Sequence, residues 1–191
     1  MARTTGEDTK AAVRHVALAE FAAKGYEITS LEEIANEVGI TRSAILHHFG
    51  SKAELLREIV EPLEDRLDEI LAGYSTTSVP LPAPGRQDLL EALVEAYCEH
   101  RQVLILLLRD VSSHWPINVD LRIGPRIARL VQLLVGDQPT SDQRLVIVAM
   151  LGVITRPLLD PNIDTDNNHN KQLILSLAIE VSRHLDQPSD V

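Results

Sequence analysis

Residues 30–52 read Ser-Leu-Glu-Glu-Ile-Ala-Asn-Glu-Val-Gly-Ile-Thr-Arg-Ser-Ala-Ile-Leu-His-His-Phe-Gly-Ser-Lys, and their spacing leaves few folds open. Ile34, Ala35 and Val38 fall on one face of a short helix. Gly39 supplies the turn, where a positive φ meets no Cβ clash. Ile40 and Ile45 then face back toward the first helix, and Ala35 is small where a second helix must cross closely. Ser30-x-x-Glu33 is a capping box, Thr41 can cap the next helix, and Ser51-x-x-Glu54 opens a third. This is the pattern of a helix-turn-helix, whose second helix presents its outer face, Thr41–His48, to a DNA major groove. On spacing alone, an αα-hairpin used only for packing stays open as the plainer alternative.

The surrounding residues sharpen the reading. Leu18-Ala19-Glu20-Phe21-Ala22-Ala23-Lys24-Gly25-Tyr26 precedes Thr29-Ser30-Leu31-Glu32-Glu33-Ile34-Ala35 and Gly39-Ile40-Thr41-Arg42-Ser43. The run Ile45-Leu46-His47-His48-Phe49-Gly50-Ser51-Lys52-Ala53-Glu54-Leu55-Leu56 follows. In order and spacing, Val16–Leu56 resembles the N-terminal domain of the tetracycline-repressor (TetR) family, over about a quarter of the chain. The resemblance implies an all-α fold of about nine helices. An N-terminal three-helix DNA-binding domain, residues 7–67 with its motif at 30–49, would precede a helical effector-binding and dimerisation domain, residues 68–191. It implies a bacterial-type transcriptional regulator, not an enzyme, expected to be a repressor released from its operator by a small molecule. Mapped onto the motif, the residues expected at DNA are Thr29, Ser30, Thr41, Arg42, Ser43, Ala44, Leu46, His47, His48 and Lys52. The family usually carries an aromatic ring where Leu46 stands. Leu46 cannot donate that ring's hydrogen bond to a phosphate, so the contact is expected to be lost or moved to His47.

Charge bears on the DNA reading. The chain holds 18 Lys and Arg against 28 Asp and Glu, a formal net charge of −10. Residues 1–52 hold six basic and seven acidic residues, so the acidity lies almost wholly in the remainder. A nearly neutral reading head makes few phosphate contacts per subunit, and tight binding then needs subunits acting together. The remaining composition favours packed helices: 45% of residues are hydrophobic but only 3% aromatic. Cys98 is the sole cysteine, which excludes an intrachain disulfide and suits a reduced cytoplasm. Residues 1–10 are polar and lack the apolar core of a secretion signal. The longest apolar runs, 103–108 and 145–154, are far short of the roughly 20 residues that span a bilayer, so no membrane partner is expected.

Periodicity predicts a helix over 9–24 ended by Gly25, and a long one from Ser51 with an apolar stripe from Leu55 to Leu71 that contains Pro62. A loop is predicted over 75–86, where three prolines and a glycine fall. Further helices are predicted over 87–112, a short stretch near 117–123, and then 125–135, 141–159 and 170–185. The last two, eighth and ninth in order, carry apolar residues on nearly every side. A lone helix pair cannot bury both faces, so a homodimer through them is expected, as the resemblance also implies. The plainer reading is that they form the monomer's core.

No other chemistry assembles from the sequence. Of the seven histidines, no two stand at the spacing that puts metal ligands on one helix face, and no metal or cofactor is expected. Glu91, Glu95 and Glu99 form a column best read as a solvated face. There is no Gly-x-Ser-x-Gly elbow and no phosphate-binding glycine loop. A helical ligand-binding or enzyme domain with a merely structural helix-turn-helix is the alternative function, and a protein-interaction module a third. The expected effector pocket would be lined by Tyr97, Leu104, Leu108, Trp115, Ile127, Val131, Met150 and Ile154, with Arg101, Arg109, His114 and Arg156 as polar anchors. For any one of these, core packing is the plainer role.

Overall fold

A computed structural model describes residues 6–74, 79–110 and 123–186. His114, Trp115 and all but the last residue of the short helix expected near 117–123 lie outside the described residues, as does the side chain of Arg109. Every regular element among the described residues is a helix, with no strand among them: α1 Gly6–Lys24, α2 Leu31–Val38, α3 Arg42–Phe49, α4 Lys52–Ala72, α5 Ala83–Glu99, α6 Arg101–Asp110, α7 Ile123–Val135, α8 Ser141–Leu159 and α9 Asn168–Ser182. A 3-10 turn, Arg183–Asp186, finishes α9. Among them no helix is long and apolar enough to cross a membrane.

The chain divides into two compact units. One takes the described parts of residues 1–62 and 102–121, the other those of 63–101 and 122–191. The division on α4 falls at Pro62, inside one continuous helix. In the first unit Val13, Ala17 and Phe21 of α1 are buried together with Ile34, Ala35, Ile45, Phe49, Leu55 and Leu56. In the second, α9 packs along α8 and α5. Its core holds Leu89, Leu90, Leu93, Leu133, Ile147, Met150, Ile154, Leu158, Ile174 and Ala178.

Two expectations are corrected. The helix expected over 87–112 is two helices, because His100 leaves the helical range at φ −104°, ψ 32° and α6 starts afresh at Arg101. A tertiary contact marks this break. The Arg101 guanidinium donates to the carbonyls of Leu158 (2.7 Å) and Asp160 (2.9 Å), filling acceptors that the end of α8 leaves open. The loop expected to run to Arg86 ends earlier, since α5 begins at Ala83 with proline in its first turn. A proline there lacks only an N–H that had no partner to lose.

Candidate nucleic-acid interface

The local geometry of residues 29–52 follows from its caps. Ser30 accepts from the Glu33 N–H (3.1 Å) while the Glu33 carboxylate accepts from the Ser30 N–H (2.7 Å), closing the capping box at the start of α2. Those bonds, the backbone one first, hold the Glu33 carboxyl below its usual range. Gly39 ends α2 in the left-handed region at φ 78°, and the Gly39 and Ile40 N–H groups both return to the Ala35 carbonyl. The Thr41 hydroxyl caps α3 by accepting from the Ala44 N–H at 3.1 Å. At the start of α4, Ser51 accepts from the Glu54 N–H at 3.0 Å, but the Glu54 carboxylate goes to Arg57 instead of closing a box. α2 packs on α3, and Ile34 and Ala35 of α2 and Ile45 of α3 are all fully buried.

That core decides which face of α3 is left outside. Thr41, Arg42, Ser43 and His47 are exposed, and Ala44, Leu46 and His48 are half-buried. The outward residues cluster at the N-terminal end of α3, the end a recognition helix brings to base edges. The His47 and His48 rings lie 5.7 Å apart, and His48 stands against Phe49. Ser30 is exposed, but its hydroxyl is committed to the cap. Thr29 is placed differently from the expectation that it faces DNA. It is 1% exposed, and its hydroxyl donates to the Gly25 carbonyl at 2.9 Å, bracing the turn between α1 and α2. Lys52 is half-buried, with its ammonium 4.2 Å from the centre of the Tyr26 ring and 3.4 Å from the Glu27 carbonyl.

Sequence reasoning missed the ion pairs that brace this head. Glu58 of α4 accepts from Arg14 of α1 at 3.1 Å and lies 3.6 Å from Lys10, and Arg14 also reaches Glu7. Hydrogen bonding to Glu7, then to Glu58, raises the Arg14 pKa against the opposing effect of burial. The signal was faint: Lys10 and Arg14 are one turn apart on α1, but nothing in the sequence names their partner.

The residues expected to line an effector pocket scatter in their surroundings. Leu104, Met150 and Ile154 are buried, Tyr97 and Val131 half-buried, and Leu108 and Ile127 exposed. Burial pushes the Tyr97 hydroxyl up, with the Arg126 charge acting against it. Of the expected polar anchors, Arg101 is spent on carbonyls and Arg156 is exposed. Ile127 and Val131 do border an open depression of about 620 Å³ together with Arg129, Gln132 and Arg144. No group of three or more histidine, cysteine, aspartate or glutamate residues suited to a metal is found among the described residues.

Comparison with known proteins bears on this geometry. Residues 13–59 match the family described as bacterial regulatory proteins, tetR family. The chain is 34% identical over 110 residues to the HTH-type transcriptional regulator AcrR of Shigella flexneri, covering 56% of this chain and 51% of that protein. It is 32% identical over 100 residues to the HTH-type transcriptional repressor KstR2 of Mycobacterium tuberculosis, covering 51% and 48%. It therefore spans about half the length of these curated relatives. Among solved structures, the TetR-family regulator SCO3833 of Streptomyces coelicolor superposes with a TM-score of 0.70 at 21% identity, over 92% of this chain and 91% of that one. At that identity the likeness is one of fold. Residues 13–59, about a quarter of the chain, carry the likeness to the tetR family of bacterial regulatory proteins.

Proposed function

We propose that this protein is a homodimeric DNA-binding transcriptional regulator, a repressor that a small-molecule effector releases from an inverted-repeat operator. It works in the cytoplasm and catalyses no reaction. The observation that carries the reading is the outer face of α3: Arg42 and Ser43 stand exposed on a helix that packs on α2 and buries Ile45 on its other side. Residues 7–67 hold the DNA. Arg42 and Ser43 read base edges or phosphates, while His48 and Lys52 hold phosphates, with Thr41, Ala44, Leu46 and His47 completing the contact face.

Residues 68–191 dimerise and take the effector. The apolar surface left by α8 and α9 supports the first part. Leu145 and Val148 of α8 are 69% and 68% exposed, and Leu173 and Leu177 of α9 are each 49% exposed. Ala149 is also exposed, and a Cβ added to Gly152 would meet nothing within 4 Å. Large side chains flanking small ones let two helices approach closely, and a monomer has no use for such a stripe facing water. The effector is expected among Tyr97, Leu104, Leu108, Trp115, Ile127, Val131, Met150 and Ile154.

The decisive experiment is a footprint on the DNA upstream of the protein's own gene. The expected result is protection of an inverted repeat, with affinity falling steeply as salt rises. Absence of any protected site on that DNA at low salt would overturn the reading.

A further inference from the structure

Arg126 is the one charged residue on the buried face of α7, which otherwise presents Leu130, Leu133 and Leu134. All three of its guanidinium nitrogens donate to carboxylates of α4. Nε and Nη2 donate to the two oxygens of Asp68 at 2.7 and 2.8 Å, and Nη1 donates to Glu64 at 2.7 Å. The Arg126 and Glu64 side chains are 10% and 13% exposed, and Asp68 is 42% exposed. Glu64 and Asp68 lie one turn apart on α4, so the fork holds that helix at two successive levels.

The position of this grip along α4 matters. It begins two residues beyond Pro62, where the two compact units divide. Pro62 has no N–H to give the Glu58 carbonyl, so the helical ladder is weakest there. A buried ion cluster is not needed for stability, since apolar residues of similar volume hold helices together as well. What the cluster adds is geometry: a planar fork bonded to two carboxylates fixes both the rotation and the axial position of α4 against α7.

We propose that Arg126 is a positioning residue for DNA binding. By fixing α4 beyond Pro62, it sets the direction in which α4 leaves the second unit, and so the separation of half-sites that the dimer accepts. The inference rests on the DNA reading above. Paired recognition helices must meet successive turns of the groove, so a loosened α4 tolerates spacings that a fixed one rejects.

The test compares operators of native spacing with operators lengthened or shortened by one base pair. The variants are Arg126→Lys, which keeps the charge but loses the fork, and Arg126→Met combined with Glu64→Gln and Asp68→Asn, which leaves no buried charge unpaired. Asp68→Asn alone, at the half-exposed partner, is the variant for use if both of those fail to fold. The expected result is a ratio of affinities, native over altered spacing, that falls by about fivefold or more in the folded variants, the low end of an ordinary coupling between sites. Loss of stability alone lowers both affinities together and leaves this ratio unchanged. A folded variant with the wild-type ratio would overturn the proposal while leaving the DNA reading standing. Wild-type protein that binds no duplex at all would overturn both.

Discussion

The ammonium of Lys52, at the first residue of α4, lies 4.2 Å from the centre of the Tyr26 ring, and Tyr26 stands edge-on to Phe21 at 5.2 Å. The aromatic pair belongs to the α1 end of the head and the lysine to the start of α4, so the contact links the two ends of the helix-turn-helix. Cation–π contacts at partly exposed sites contribute about 0.5–1 kcal/mol. A phosphate offers this ammonium a stronger partner near backbone N–H groups that already favour anions. Lys52→Ala is expected to weaken binding to every duplex alike and to flatten the salt slope by about one unit. Titrations at several salt concentrations measure it, and an unchanged slope would remove Lys52 from the interface.

Arg42 is expected to act on sequence. It is exposed at the first turn of α3 and pairs with no carboxylate among the described residues. A bidentate arginine on guanine contributes about 1–3 kcal/mol of discrimination. Arg42→Ala should therefore lower affinity for the operator about tenfold or more beyond its effect on random DNA. Competition titrations with the two DNAs decide it. Equal losses would make Arg42 a phosphate contact.

Much of this head was legible because its signals are local. Ser30 with Glu33, Gly39 and Thr41 each specify a cap or turn through bonds spanning at most five residues, and the structure places each one where the spacing put it. The helix starting at Ser141 was equally legible, and Thr140 and Gln143 close a capping box in front of it. What was not legible depends on residues far apart in the chain. The break at His100 is marked by Arg101 reaching Leu158, 57 residues away, with no glycine or proline to announce it. Thr29 is an exception, local yet missed, for its hydroxyl turns back to the Gly25 carbonyl only four residues away. The grip of Arg126 on Glu64 and Asp68 joins segments about 60 residues apart, and an arginine within an apolar helix gives no hint of its partner.

Dimerisation is expected to fail when charge enters the outer face of α9. Leu177 is 49% exposed, while its neighbours Ile174, Leu175 and Ala178 are buried. Leu177→Glu should leave the monomer folded, because the new carboxylate meets water there. In a dimer it would be desolvated without a partner, at a cost of several kcal/mol. Sedimentation should show a concentration-dependent shift from dimer to monomer, with unchanged helix content and weak operator binding. A dimer that persists at wild-type concentrations would place Leu177 outside the seam.

Pro62 lies on the same helix that Arg126 grips, two residues before Glu64. It is exposed within α4, four residues after Glu58, whose carbonyl it leaves without a backbone donor. Alanine restores that donor and removes the ring's contact with the preceding turn. The gain is offset in part because proline also restricts the unfolded chain by about 0.4–1 kcal/mol. Pro62→Ala is therefore expected to raise the melting temperature modestly and to slow amide exchange over 59–66, the stretch around the missing bond. A stiffer α4 should also sharpen the preference for one half-site spacing, opposite in sign to loosening Arg126. Exchange rates and spacing preferences identical to wild type would show that α4 is already rigid at Pro62. The half-site separation would then be set elsewhere.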